Sequence, residues 1–420
     1  MARNGREKPR EPGVNASMPT DFNPRDPGFI ADPYPELARL RREDPVHWSD
    51  RLQGWVMTGY DDIRMSLRDA RFSSDRMRPF FEHLAPEARA RLAPLEDNIA
   101  LWAVFMDPPS HTRLRGLMNR AFTSRAIEGL RGRIAGIVDG LLDAMAAKGE
   151  IDLIRDFAYP LPAQVIAEML GVPHVDIDLL KNWSDQLNGF VFSARLTPEK
   201  YAIATAGIAE MTHYFQRFVT ERRKRPGDDV ASGLIAASDS GDLLAPDELV
   251  AACVLLLFAG HETTTQLLGN GFLALMQHPD EMAKLRDGNA ALVISAVEEM
   301  LRWDGPSLAQ VRIMAEDVEV GGQTLRRGQR VFQMLAAANR DPAHFPDPDR
   351  FDVTRADNRH LTFGFGIHFC LGAPLARLEG QIAFPALLNR FRQFHPIGPA
   401  PRWSDSLVVR AVDRIGLRVA

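Results

Sequence analysis

The chain has 420 residues, of which 45% are apolar, 25% charged and 8% aromatic, and its formal net charge is −5. That balance supports a large buried core and reads neither as a disordered chain nor as a membrane protein. A mildly acidic average lacks the concentrated Lys/Arg surface that phosphate backbones require, which argues against a nucleic-acid binder.

Residues 1–30 are rich in Pro, Asn, Asp and Gly without a sustained period, and are expected to form an irregular N-terminal arm on the surface. The first ten are charged and no apolar stretch follows, which predicts no secretory signal, no membrane anchor and a cytoplasmic location. The two cysteines, Cys253 and Cys370, stand in unrelated contexts, make no disulfide framework or multi-thiolate metal site, and fit a reducing compartment. No Ser/Gly linker divides residues 31–420, which are read as one domain, mainly α with a minor β region.

Two extended segments, residues 45–48 and 54–58, flank a polar turn and predict a hairpin. Apolar spacings of three and four predict amphipathic helices over 126–147, 163–170, 199–222 and 229–237. A longer helix is predicted over Pro246–Gln277. Its apolar run, residues 249–259, is shorter than the roughly 20 residues a bilayer span needs and reads as core. Residues 318–325 predict a second hairpin with Gly321-Gly322 in the turn, followed by a strand over 331–335 and a helical segment over 375–391. No internal repeat and no phosphate-cradling G-x-x-x-x-G-K-[ST] string occurs.

The most informative stretch is the loop Phe363-Gly-Phe-Gly-Ile-His-Phe-Cys370-Leu-Gly372, followed by Ala373-Pro374. Gly364, Gly366 and Gly372 allow turns and the close approach of a flat ligand, and a helix starting just after Cys370 favours its thiolate through amide donors and the helix dipole. Such a thiolate can bind haem iron or act as a nucleophile; otherwise a lone cysteine is an inert buried side chain. A nucleophile needs a base held beside it, and His368, two residues away, has no evident orienter.

The long helix carries Ala259-Gly-His-Glu-Thr-Thr-Thr265 directly after its apolar run. Gly260 and the threonines weaken its middle, and Thr263 can compete for the carbonyl of Ala259, which predicts a local opening where oxygen and water fit. A Glu-Thr pair alone is equally at home on a solvated turn; its place after the apolar run favours burial. His261 is read as a helix-face histidine pointing away from that opening. Glu299 and Arg302, three apart, share a helix face.

Taken together these strings resemble the cytochrome P450 family. The cysteine loop resembles its haem-binding signature, Ala259-Gly-x-Glu-Thr263 its oxygen-activating helix, Glu299-x-x-Arg302 its structural ion pair, and Phe345-Pro-Asp-Pro-Asp-Arg-Phe351 the segment that supplies a third member, Arg350. The motifs stand in family order over nearly the whole chain from about residue 30. The resemblance implies a triangular helical prism with a long distal helix, haem b (iron protoporphyrin IX) as cofactor and Cys370 as the iron ligand. His111, Arg115, Arg312 and His368 are then the propionate contacts, with Ala259, Gly260, Phe363, Gly364 and Gly372 beside the ring.

By the same resemblance, Glu262 and Thr263 are the catalytic acid and alcohol that deliver protons during oxygen activation, and Leu255, Phe258, Ala259 and Leu308 face the substrate. Residues 77–103 and 188–199 shape the entrance. The implied activity is insertion of one oxygen atom from O2 into an organic substrate with a hydrophobic portion, by hydroxylation or epoxidation. Electrons are expected from a separate ferredoxin and ferredoxin reductase, with Arg113, Arg120 and Arg377 as contacts for an acidic partner. The acid-alcohol pair argues against the peroxygenase branch, where an Arg-Pro pair replaces it. A haem sensor or carrier would have no use for Glu262-Thr263.

Overall fold

The computed structural model describes residues 22–192, 197–239 and 244–420. The helix Pro246–Gln277 organises them. Asp247 and Glu248 complement the positive end of its dipole, and Glu248 accepts the N–H of Ala245 at 2.9 Å. Residues 249–258 are buried on every side, as an all-round apolar helix must be. It packs against the helices Pro160–Leu170, Pro198–Lys224, Ala290–Asp304 and Ala373–Arg390. Among the described residues it is the one helix long and apolar enough to cross a bilayer, and most of that apolar window lies inside the protein.

The expected helix over 126–147 is two, Ser124–Glu128 and Arg131–Lys148, separated at Gly129, with Thr123 accepting the N–H of Ala126 to cap the first. Three of the others, Pro160–Leu170, Pro198–Lys224 and Ala373–Arg390, begin earlier than their apolar period suggests, because a proline that reads as a breaker suits a first helical turn. The fourth is Val230–Asp239.

Both hairpins form, Val46–Ser49 with Gly54–Met57, and Val318–Val320 with Gln323–Leu325. In the second, Gly321 and Gly322 have φ of +56° and +77°, the left-handed pair that a tight hairpin turn demands. The first hairpin enters a five-stranded sheet by pairing Gly54–Met57 in parallel with Arg330–Gln333, which in turn pairs with Gln310–Met314. The strand expected over 331–335 stops at Gln333, and Leu335–Ala338 coils instead, in keeping with its Leu-Ala-Ala-Ala sequence. Over its last nine residues the expected surface arm is irregular only to Asp26 and is anchored to the core. Phe22 and Phe29 are buried edge to face at 5.2 Å, and Asp26 caps a short helix, Pro27–Ala31, there. Residues 1–21 of that expectation lie outside the described residues.

Two ion networks hold the approach to the cysteine loop. Arg302 donates to both oxygens of Glu299 at 2.7 and 2.8 Å, with both side chains fully buried, and its remaining N–H groups reach the carbonyls of Asn339, Pro348 and Arg350. The third member is Arg355, at 3.1 Å from Glu299, and not Arg350. Arg350 contributes only its carbonyl, and its exposed side chain lies 3.8 Å from Asp352. In the second network Glu298 accepts from Arg377 at 2.6 and 2.8 Å and pairs with His360 at 3.1 Å, and the Arg377 guanidinium covers the ring of Phe363.

Removing Arg302 strands a buried carboxylate, which costs about 3–5 kcal/mol. Arg302→Ala is therefore expected to give little folded protein in a thermal melt, whereas Arg350→Ala leaves the melt within about 1 kcal/mol of the parent. Burial alone would raise the Glu298 carboxyl, but hydrogen bonds from His360 and Arg377 outweigh it and hold it at about 2, against an ordinary 4.5. A depressed carboxyl stabilises the fold above its unfolded value and loses that contribution as pH falls towards 2. Acid unfolding of Glu298→Gln should accordingly show a shallower fall in stability between those pH values than the parent.

Candidate active site

Between the long helix and the cysteine loop lies a mainly apolar cavity. The helix presents Leu255, Ala259, Gly260 and Thr263 to it, the helix Ser110–Ala121 presents His111 and Arg115, and the loop presents Phe363, His368, Cys370 and Gly372. Residues far apart in the chain thus meet on one apolar space. The long helix runs through this stretch without the expected interruption, and Thr263 Oγ1 stands 3.5 Å from the Ala259 carbonyl, at the outer limit of a hydrogen bond. Gly260 is required by packing: a Cβ there would lie 2.6 Å from Ile166 of the crossing helix.

Other expected residues stand back from the cavity. Phe258 turns to Trp102 and Phe192, with ring centroids 5.4 and 5.3 Å away, and Leu308 packs into a separate core beside the sheet. Gly364 lies behind the lining with φ +71°, where a Cβ would meet the Gln310 amide at 2.9 Å. The lining residues that sequence reasoning missed include Gln310 and Ile166, which belong to no motif, and Thr264, which stands inside the Ala259–Thr265 string without a role assigned to it.

The loop holds Cys370 by its N–H to the Phe363 carbonyl at 2.9 Å, and the amides of Gly372 and Ala373 donate towards Sγ. Burial pushes the thiol up, and these amides with the charges of Arg115 and Arg377 only partly offset it. A cation at sulfur, such as a metal ion, is what would tip it to thiolate. Cys253 is fully buried and pushed up to about 12 by burial, an inert side chain.

One corner of the site concentrates basic groups. His111 and His368 have ring centroids 4.1 Å apart, His368 Nε2 is 3.0 Å from Ser74 Oγ, and Arg115 donates to the Phe369 carbonyl. Arg312 donates to Gln310 at 3.0 Å, and Arg76, which no motif signals, lies near it with its guanidinium over Phe105. Burial lowers both arginines to about 10 and, with the charges of His111, Arg312 and Arg115, lowers His368 to about 3. Nε of Arg76 and Nδ1 of His111 are buried without a hydrogen-bond partner among the described residues. Unpaired donors and crowded positive charge of this kind fit carboxylates supplied by a ligand. A flat apolar slot with a cysteine on one wall and such a corner fits haem with its two propionates.

The cytochrome P450 family model matches residues 56–410. The chain belongs to the cytochrome P450 family. It is 45% identical to the cytochrome P450 monooxygenase PikC of Streptomyces venezuelae, over 90% of this chain and 88% of that one. It is 43% identical to the vitamin D(3) 25-hydroxylase of Pseudonocardia autotrophica, over 86% of each. Among solved structures, CalO2 superposes with a TM-score of 0.88 at 32% identity, covering 96% of this chain and 99% of that one. P450BioI in complex with hexadec-9Z-enoic acid ligated acyl carrier protein gives 0.87 at 35%, covering 94% and 100%. This P450 is a haem-thiolate monooxygenase that uses O2, a small-molecule substrate and redox partners, and the expected mainly helical P450 fold is the one it adopts.

The expected entrance segment 77–103 of the P450 folds into short helices, Met77–Glu82, Pro86–Arg91 and Ala93–Ile99. Phe80 meets Phe190 and Tyr201, and all three border a second cavity. Residues 193–196 of the other entrance segment lie outside the described residues. Of the arginines expected to meet a redox partner, Arg113 is paired with Glu248 and Arg377 with Glu298, while Arg120 is exposed. Gly260→Ala should cost about 1–3 kcal/mol in a denaturant melt through overpacking against Ile166, and the same substitution made in an Ile166→Ala background should cost less.

Proposed function

We propose that Cys370 is the iron ligand of haem b, and that Arg76, His111, Arg115, Arg312 and His368 hold its propionates. The observation that carries this reading is the meeting of Cys370 with His111, Arg115 and His368 on one apolar cavity, where the buried Nδ1 of His111 has no hydrogen-bond partner among the described residues. Haem iron bound there would activate dioxygen, electron donation by the thiolate favouring O–O cleavage. Ala259 and Gly260 leave room on the distal wall; Phe363, Gly364 and Gly372 shape the loop on the proximal side. Thr263 holds a proton at its hydroxyl on the wall opposite Cys370, and Glu262, next in the chain, supplies it by general acid relay.

The reaction is hydroxylation or epoxidation of an organic substrate with a hydrophobic portion, which Leu255 and Ala259 meet in the cavity. Relatives named for vitamin D(3), 6-deoxyerythronolide B and polyketide biosynthesis support an organic molecule of that kind. Electrons come from a ferredoxin and its reductase, with Arg120 at the docking face, and the protein works in the cytoplasm with residues 31–420 as one catalytic domain.

The test is the reduced, carbon-monoxide-difference spectrum with substrate turnover. The parent is expected to show a strongly red-shifted Soret band that Cys370→Ser abolishes; a serine variant that retains it overturns the ligand assignment. Thr263→Ala is expected to keep the band, lose on the order of 10²-fold in product formation and divert reducing equivalents to hydrogen peroxide. Unchanged coupling in that variant removes the relay.

A further inference from the structure

Glu262 does not border the cavity. Its carboxylate is buried beside the helix Ile177–Val191, where the Asn188 side chain hydrogen-bonds to it and His261 Nε2 stands 3.1 Å from its Oε1. His261 is itself 2% exposed. Its Nδ1 lies 2.8 Å from the Leu257 carbonyl, which can only accept, so Nδ1 keeps its hydrogen and Nε2 is the nitrogen that exchanges. Nε2 and Oε1 are within ion-pair distance of each other, and neither has a hydrogen-bond partner among the described residues.

The imidazole also borders a narrow, mainly apolar cleft lined by Ala163, Ala167, Ile177 and Leu180, with Tyr159 and Lys181 beside them. Tyr159 meets His261 edge to face at 5.5 Å, and the Lys181 ammonium sits 4.4 Å over the Tyr159 ring. Lys181 pairs with Asp185 at 2.6 Å, and both are substantially exposed, which places solvent at the far end of the cleft. The order from solvent inward is therefore the Lys181–Asp185 pair, the cleft, His261, Glu262 and then Thr263 at the cavity.

Resting on the Glu262-Thr263 reading above, we propose that His261 is a positioning residue that stores the proton Glu262 delivers and is refilled from the Lys181 cleft. In the transfer the Nε2–H bond breaks and an O–H bond forms at Oε1, leaving a neutral imidazole and a neutral carboxyl group. Glu262 passes a proton towards Thr263, and water in the cleft returns one to Nε2. The groups facing the imidazole are Glu262 on its own helix, Tyr159 ahead of the helix Pro160–Leu170, and Lys181 and Asp185 on Ile177–Val191, with Asp178 beyond Tyr159. Burial alone would lower the imidazole, but the Glu262 carboxylate outweighs it and holds it above the ordinary value. The stored proton is thus present at lower pH and lost as pH rises through that raised value.

The experiment compares His261→Gln with Thr263→Ala in the holoenzyme and follows the His261 imidazole by ¹⁵N-histidine NMR in the reduced carbon-monoxide form, with and without Glu262→Gln. His261→Gln is expected to keep the red-shifted band and KM, to lose roughly tenfold in product per electron pair, less than direct loss of a general acid, and to lose the alkaline limb of the parent's pH profile. The imidazole should titrate above an ordinary histidine and drop in Glu262→Gln. Parent-like coupling and pH profile in His261→Gln, with Thr263→Ala uncoupled, overturn the role of His261 alone. Intact coupling in Thr263→Ala overturns the reading beneath it. Should His261→Gln not accumulate as holoprotein, the titration decides: an imidazole with ordinary behaviour, or one indifferent to Glu262→Gln, overturns the proposal.

Discussion

Glu299 and Arg302 place two full charges where no water reaches, and the cost of removing them from water exceeds what one ion pair returns. The deficit is met by partners gathered from a long stretch of chain: the carbonyls of Asn339, Pro348 and Arg350, the N–H of Asp352, and the side chains of Arg355 and Asn358. Satisfying the charges therefore dictates the course of the backbone from 339 to 358. Asn339 carries the constraint onward, since its side chain binds both the Leu361 N–H and the Thr362 hydroxyl, and that hydroxyl donates to the Leu301 carbonyl. Phe363 follows at once, and its carbonyl holds Cys370. The position of one sulfur is set by the electrostatic needs of a carboxylate on another helix.

The long helix divides two environments by its periodicity. Gly260, Thr263, Thr264 and Leu267 recur at three- and four-residue spacing and face the cavity, while Leu257 and His261 face the Lys181 cleft. Glu262 falls between the two. An apolar slot and a proton-bearing cluster are thereby kept one helix width apart, with backbone that stays fully hydrogen-bonded between them.

Local features were legible in the sequence because their chemistry is local. The cysteine loop, the Gly321-Gly322 turn, the Glu299-x-x-Arg302 pair and the bounds of Pro246–Gln277 each follow from neighbours a few residues away. What the sequence concealed depends on where distant segments meet. Arg350 and Arg355 are equally plausible partners for Glu299 until the backbone between Asp347 and Asp352 turns one outward. Arg76 becomes part of a site only because the segment after Phe72–Ser73 lies against the Gln310–Met314 strand. Arg113 and Arg377 read as free surface charge until Glu248 and Glu298 are brought to them. Phe258 shares the apolar run of Leu255, and only the placement of Trp102 and Phe192 shows that it points elsewhere.

The parallel pairing of Gly54–Met57 with Arg330–Gln333 has a companion at the chain's opposite end, where Arg410 donates to the carbonyls of Ile30 and Ala31, the former 380 positions earlier. At a synthesis rate of about 5–20 residues per second, the N-terminal segment leaves the ribosome roughly 20–80 s before that partner exists. The first hairpin waits a shorter time, roughly 14–55 s for the 276 positions from Gly54 to Arg330, with its Gly54–Met57 edge uncovered, and such an edge is a template for pairing with other nascent chains. The helices of the middle of the chain can pack as they emerge. Completion of that sheet is left to residues 310–333, made long after the hairpin, so the time an unpaired edge survives bears on yield alongside the stability of the finished protein.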